Sequence, residues 1–179
     1  MIEPARSASL ATISVASTNE DRRVVTRSMW AGACIWPTFL LLDAYMCFVV
    51  YPAAPFALFV IYRVVIEMVF LIVYRTSLRP DADANRLFRS LSTTYSATAL
   101  TIAMMAIHLG GIVSPYMHGI SIVALVWAAL VPVHWRRALP TFWKIGLSFP
   151  LVMGVGAAVS PSARAAWIKA DAIILFAAN

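Results

Sequence analysis

Two histidines and a tyrosine lie within one short stretch of the sequence, HLGGIVSPYMHG, which covers residues 108–119. The stretch contains three glycines and a Ser-Pro pair but no acidic residue, lysine or arginine. Two imidazoles at a similar level on neighbouring helices could bind haem or a metal ion. His108, Tyr116 and His118 are therefore candidate ligand-binding or haem-binding residues. The alternative is that both histidines are interfacial residues bonded to water and headgroups, since no nearby cysteine or carboxylate completes a zinc site. No metal site and no catalytic residue is predicted.

Three ionisable residues, Asp43, Arg63 and Glu67, lie inside apolar segments, where a charge is costly enough to require a reason. Asp43 lies shortly before the end of the first apolar segment and Arg63 shortly after the start of the second. At a rise of about 1.5 Å per residue, both lie roughly 10 Å below the same surface. The spacing predicts an Asp43–Arg63 ion pair, which Glu67 shares from one turn further along its helix. We interpret the three residues as an intramembrane charge network that joins two helices; the alternative is a proton or ligand site.

Composition indicates the class of protein that carries these residues. The 179-residue chain is 61% hydrophobic and 12% charged, whereas soluble domains are about one-quarter charged. A membrane-spanning helix needs about 20 mostly apolar residues. The sequence therefore predicts an all-α, polytopic transmembrane bundle of six spans, of which the last is truncated at Asn179. The predicted spans are Trp30–Val50, Phe56–Tyr74, Leu91–Leu109, Tyr116–Val133, Thr141–Val159 and the incomplete segment 167–179.

The basic residues predict the orientation. Residues 1–28 lack the continuous apolar core of a signal peptide, so we expect a cytoplasmic amino-terminal tail with a short interfacial helix. The positive-inside rule places the tail and alternate connections in the cytoplasm, although the connection with Arg164 and Lys169 departs from this pattern. The net charge of +6 thus reflects topology, and nucleic-acid binding is not needed to explain it. The cytoplasmic basic residues are Arg22, Arg23, Arg27, Arg75, Arg79, Arg86, Arg89, Arg136, Arg137 and Lys144.

Proline and glycine identify the segments that we expect to deform. Pro37 in the first span and Pro150 in the fifth should kink or open their helices. Gly154 and Gly156 follow Pro150, so these three residues form a predicted hinge. The third span is rich in small and hydroxyl-bearing residues, which predicts close helix packing.

Three segments together resemble the amino-terminal six-helix membrane domain of bacterial sensor histidine kinases and membrane-bound nucleotidyl cyclases. They are LLDAYMCFVVYP, the arginine of the second apolar segment, and GGIVSPYMHGISIVALVWAALVPVHWRRAL. In that family a Gly-Gly-x-x-Ser-Pro-Tyr turn joins the third and fourth spans. The likeness extends from about Trp30 to the end, and its most specific parts are the turn and the Asp–Arg pair. His118 departs from the family pattern, which usually has a small residue there.

The resemblance implies a sensor or regulatory module in a bacterial inner membrane. It further implies a homodimer whose sixth helix continues into a cytoplasmic kinase or cyclase module. The chain contains no histidine-phosphorylation box, ATP-binding glycine motif or cyclase metal aspartates, so we expect no enzyme activity from it. One alternative is a cytochrome-like haem anchor, although a two-haem anchor needs four axial histidines and this chain has three. Another is an accessory subunit of a larger membrane complex. Otherwise no cofactor is predicted.

Overall fold

The structure is a computed structural model that describes residues 3–132, 134–159 and 164, with side chains from residue 19 onward. Within that part of the chain all regular structure is helical and there is no strand. The all-helical prediction is therefore confirmed for the described residues. The predicted sixth span, residues 167–179, lies outside them. The described residues form the α-helices α1 Glu3–Ile35, α2 Phe39–Tyr45, α3 Phe56–Ser77, α4 Ala84–His108, α5 Met117–Leu130 and α6 Trp135–Val159.

The first apolar segment is a chain of four helical pieces. After α1, a single 3₁₀ turn covers Trp36–Thr38, and after α2 a π-helical stretch covers Met46–Val50. The first break coincides with Pro37, which has no N–H group and whose ring clashes with the preceding helical turn. The sequence predicts a kinked or opened helix at Pro37, and the 3₁₀ turn lies at that residue.

The amino-terminal segment differs from the predicted tail. Helix α1 is continuous from Glu3, so the predicted boundary after residue 28 falls inside a helix and does not separate a short helix from the first span. Val25 and Met29 are fully buried, and α1 packs against α3 and α4. This apolar packing stabilises the helix over residues 19–35. A capping signal in the sequence does not show such packing, so it could not predict that the helix is continuous.

Within the described residues, three helical segments are long and apolar enough to cross a membrane: Asn19–Val50, Phe56–Ser77 and Trp135–Val159. Helix α4 is as long as α6 but carries many hydroxyl side chains, and α5 is apolar but has only 14 residues. Between residues 61 and 72 the exposed face of α3 is apolar, a pattern that suits lipid rather than water. Its residues are Ile61, Val64, Val65, Met68 and Ile72.

Helix α4 lies at the centre of the bundle and packs against α1, α3, α5 and α6. Ala99 and Ala103 are fully buried, as expected for small residues that let helices approach closely. Ser92 Oγ and Thr141 Oγ1 form a buried hydrogen bond of 2.6 Å between α4 and α6. The connections between helices define two ends of the bundle. We call the end with residues 51–55 and 109–116 the turn end, and the end with residues 78–83, 131, 132 and 134 the arginine end.

Candidate functional site

Asp43 and Arg63 form a buried ion pair that joins α2 to α3. Arg63 Nε donates to Asp43 Oδ2 at 2.6 Å, and Nη2 donates to Oδ1 at 2.9 Å. The side chains are 6% and 0% exposed, respectively. This two-bond geometry is the strongest that a guanidinium and a carboxylate can form. The contact that the spacing predicts between these two residues is therefore present.

Aromatic side chains cover the guanidinium of Arg63. Its Cζ lies 4.0 Å from the ring centroid of Trp36 and 5.5 Å from that of Phe39. Trp36 Nε1 also donates to the backbone oxygen of Arg63 at 3.0 Å. Trp36 belongs to the 3₁₀ turn at Pro37, so the break in the first apolar segment coincides with the residue that stacks on the cation. A cation over an aromatic face is stabilised by the ring quadrupole, most strongly where water is absent.

Tyr116 brings α5 into contact with the ion pair. Gly110 and Gly111 adopt positive φ angles of 98° and 65°, which side-chain-bearing residues rarely do, and they reverse the chain after α4. Ser114 Oγ then accepts a hydrogen bond from the Tyr116 backbone N–H at 3.2 Å. The Tyr116 hydroxyl is buried and donates to Asp43 Oδ1. The glycine-rich stretch thus forms the predicted turn and connects three helices through one carboxylate.

Glu67 does not join this network. Its Oε2 is buried and has no hydrogen-bond partner in the described part of the chain, and no ion pair links it to Arg63. The prediction that Glu67 shares Arg63 is therefore wrong. The physical reason is the orientation of the guanidinium, whose Nε and Nη2 are both directed at Asp43. The remaining nitrogen, Arg63 Nη1, is also buried without a partner.

A cavity of about 240 Å³ lies beside Arg63. It is open to the outside and is lined almost entirely by apolar atoms. Its lining residues come from α1, the 3₁₀ turn, α2, the π-helical stretch, α3, α4, α5 and the turn before α5. The lining residues are Gly32, Ile35, Trp36, Phe39, Leu42, Met46, Arg63, Phe70, Tyr95, Thr98, Ile102, Pro115, Tyr116, His118, Gly119, Ile122, Val123 and Val126.

Two of the three candidate ligand residues line the cavity. Tyr116 and His118 line the cavity, although His118 is exposed. His108 is also exposed, does not line the cavity, and contacts the ring of Phe59 at a centroid distance of 6.2 Å. Among the described residues, no group of three histidine, cysteine or acidic side chains could hold a metal ion. The pairing of both histidines on one ligand stays a prediction.

The predicted hinge lies in α6, which is one continuous helix with Pro140 and Pro150 in its interior. Gly156 is buried, whereas Gly154 is exposed and a Cβ there would meet no neighbouring atom. Close packing therefore does not require a glycine at position 154. Whether Pro150, Gly154 and Gly156 act as a hinge stays a prediction.

Two residues of the site were not identified from the sequence. Trp36 was not distinguished from the other tryptophans, although its position next to Pro37 could have marked it. Gly32 lies in α1, where a Cβ would overlap the ring of Phe70. A single glycine in an apolar helix gives no sequence signal that identifies its neighbour.

Comparison of the chain with protein-family models, with curated protein sequences and with solved structures found no match. The resemblance carried by the turn and the Asp–Arg pair therefore stays a prediction.

Proposed function

We propose that this chain is a membrane-embedded sensor or regulatory domain that passes a signal to a cytoplasmic kinase or cyclase module. The observation that carries the proposal is the cluster of Trp36, Asp43, Arg63 and Tyr116, which connects α2, α3 and α5. Trp36, Arg63 and Tyr116 line the apolar cavity. We call these four residues the polar cluster. Membrane proteins place ionisable groups among apolar helices mainly where the groups serve a function.

The polar cluster offers a physical means of transmission. Asp43 is fully buried and accepts hydrogen bonds from both Arg63 and Tyr116. If the Tyr116 bond breaks, Asp43 keeps its arginine partner, so α5 can move while the buried charge stays compensated. Helix α5 packs against α6, and α6 leads towards the end of the chain. A molecule in the cavity therefore changes the position of α5 and, through it, that of α6.

A chimera with a reporter enzyme tests this proposal. The chain is fused after Asn179 to the catalytic domain of a nucleotidyl cyclase that is active only as a dimer. We expect Tyr116→Phe, which removes the only hydrogen bond between α5 and the ion pair in the described part of the chain, to change cyclase output at equal protein level. Leu125→Ala, at an exposed position on the same helix, is the matched control. Identical output from the chimera and both variants would contradict the proposal.

The proposal also requires the arginine end to face the cytoplasm. A reporter of sidedness fused after Arg79 should read cytoplasmic, and one inserted near Ser114 should read external, because basic connections are retained inside. The reverse result would place the polar cluster near the cytoplasmic surface, where it could not respond to an external signal.

A further inference from the structure

One carboxyl oxygen in the middle of α3 is buried without a hydrogen-bond partner. Glu67 lies eleven residues after Phe56 and ten before Ser77, the ends of α3, which is roughly 15 Å from either end. Helix α3 is long and apolar enough to cross a membrane, so Glu67 lies near the middle of a hydrocarbon layer about 30 Å thick. Its Oε2 is buried and accepts no hydrogen bond from any described residue. Buried polar atoms are nearly always bonded, so this exception requires an explanation.

One cation and two carboxyl groups lie at this level of the bundle. Arg63 is one helical turn from Glu67 on α3, and Asp43 of α2 is paired with Arg63. The parts of α1, the 3₁₀ turn, α2 and α4 that contact Arg63 and Phe70 lie within residues 28–42 and 90–107, which contain no acidic or basic side chain. The other titratable side chains here are the thiol of Cys34 and the phenols of Tyr62, Tyr74 and Tyr95. A single guanidinium is thus available to two carboxyl groups.

The hydrogen bonds decide which carboxyl group carries a negative charge. Asp43 accepts two bonds from Arg63 and one from the Tyr116 hydroxyl, and each of these bonds stabilises the ionised form. Glu67 Oε2 accepts none, so an ionised Glu67 would have a buried oxygen without compensation among apolar side chains. Such a charge is far more costly than a neutral carboxyl group, and an acid in this position binds a proton instead. With that proton, Asp43, Arg63 and Glu67 together have no net charge.

We infer that Glu67 is a proton-binding site in the middle of the α3 span and that it is a neutral carboxylic acid at neutral pH. Loss of the proton to water would leave a carboxylate one helical turn from Arg63, whose Nη1 also has no hydrogen-bond partner among the described residues. Proton binding at Glu67 therefore leaves Asp43 as the carboxylate that holds Arg63. This inference goes beyond the proposed function and does not depend on it, since it concerns the charge of α3 and not the output of the domain.

Infrared spectroscopy of the whole chain in lipid nanodiscs tests the charge of Glu67 directly. A protonated carboxyl group has a C=O stretching band that an ionised carboxylate lacks. The chain is labelled with carbon-13 in the side-chain carboxyl groups of its glutamates, Glu3, Glu20 and Glu67. We expect one isotope-shifted band at neutral pH. Glu67→Gln should abolish the band, whereas Glu20→Gln, the same change at an exposed residue, should leave it unchanged. Glutamine resembles the neutral acid in size and polarity, so Glu67→Gln should fold.

An apolar carbodiimide gives an independent readout. Val64 and Met68 lie beside Glu67 on α3 and are exposed on the apolar face, so dicyclohexylcarbodiimide dissolved in the bilayer can reach the carboxyl group. The carboxyl proton passes to a carbodiimide nitrogen, the carboxyl oxygen bonds to the central carbon, and an acyl shift from oxygen to nitrogen gives a stable N-acylurea. Mass spectrometry should find one adduct, on the peptide that contains Glu67, and its yield should fall at alkaline pH. Glu67→Gln should remove the adduct.

A change at Asp43 tests the charge balance. In Asp43→Asn, Arg63 keeps its charge and Glu67 is the remaining carboxyl group at this level, so Glu67 should release its proton and bond to Arg63. The infrared band and the adduct should then both be lost. If Asp43→Asn does not fold, the wild type and the two glutamine variants still decide whether Glu67 binds a proton.

Several results would overturn the inference. A spectrum of the wild type without a glutamate carboxyl band at neutral pH would show that Glu67 is ionised. A band or an adduct that persists in Glu67→Gln would place the protonated group elsewhere, and a band retained in a folded Asp43→Asn variant would contradict the charge balance. No reporter enzyme is needed, so a failure of this inference is distinguishable from a failure of the cyclase chimera to respond.

Discussion

The two ion pairs of the described chain lie near opposite ends of the bundle and in different surroundings. Near the turn end, Arg63 and Asp43 are 6% and 0% exposed and are enclosed by Trp36 and Tyr116. At the arginine end, the Arg137 and Asp21 side chains are 36% and 27% exposed and share one hydrogen bond of 2.8 Å. A buried pair costs desolvation but penalises the loss of one partner severely, whereas an exposed pair contributes little. The comparison teaches that burial determines how strongly the fold depends on each pair.

The arginine end distributes its polar contacts over several helices. Arg22 Nη2 donates to the backbone oxygens of Pro80 and Ala82 at 2.6 and 3.3 Å, so α1 is bonded to the connection between α3 and α4. Thr26 Oγ1 donates to Ser77 Oγ at 2.9 Å. No single contact dominates at this end. At the turn end, the Asp43 carboxylate of α2 accepts hydrogen bonds from Arg63 of α3 and from Tyr116 at the start of α5.

The largest difference in unfolding free energy is expected between Arg63→Gln and Arg137→Gln, which make the same substitution in the two ion pairs. Arg63→Gln leaves Asp43 buried without its cationic partner and should lower the free energy of unfolding by about 3–5 kcal/mol. Arg137→Gln should lower it by about 1 kcal/mol or less, because the Asp21 side chain is 27% exposed and water screens its charge. Steric trapping of the unfolded state in bicelles measures both values. Similar losses for the two variants would remove the distinction between the ends.

The next effect concerns the tyrosine that joins α5 to the ion pair. Tyr116→Phe deletes one hydrogen bond to a charged acceptor and should cost about 1.5–3 kcal/mol of unfolding free energy. Tyr62→Phe is the matched control, because the Tyr62 hydroxyl makes no hydrogen bond in the described part of the chain. We expect its unfolding free energy to stay within about 0.5 kcal/mol of the wild type. A Tyr116→Phe variant as stable as the wild type would show that α5 does not depend on Asp43.

A smaller effect is expected from salt at the arginine end. Asp21→Asn should cost about 1 kcal/mol or less at low ionic strength, and the loss should shrink at about 1 M salt, where the screening length is about 3 Å. Asp43→Asn is the comparison, because screening by salt is weak for a buried pair. Thermal unfolding in detergent at the two salt concentrations checks both variants. A salt-independent loss for Asp21→Asn would indicate that its pair is buried more deeply than the structure has it.

The smallest effect is expected at the histidines. Both are exposed, so His108→Ala with His118→Ala should change the unfolding free energy by no more than about 0.5 kcal/mol. We expect neither the wild type nor the double variant to show the visible absorption band of bound haem when it is purified after expression with haem supplied. A band in the wild type that the double variant lacks would instead support the haem-anchor alternative.

Helical class, the turn and the Asp43–Arg63 contact could be predicted from the sequence because each depends on short-range rules. Apolar composition predicts helices in lipid, glycines predict the reversal, and a short connection places Asp43 and Arg63 at matched depths. Glu67 was misassigned because spacing along a helix shows which residues are neighbours but not where a guanidinium points. Tyr116 and Trp36 could not be assigned as partners of the pair, since their contacts depend on how α5 and the 3₁₀ turn pack against α3.

The most direct test of the account is a double-mutant cycle on the ion pair, with Asp43→Asn, Arg63→Gln and both together. Each single variant removes one charge and leaves the other buried, whereas the double variant leaves none. If the two residues form one buried unit, the double variant should lose less unfolding free energy than the sum of the single losses, with a coupling of about 2 kcal/mol. Losses that add to within about 0.5 kcal/mol would contradict the contact and, with it, the polar cluster.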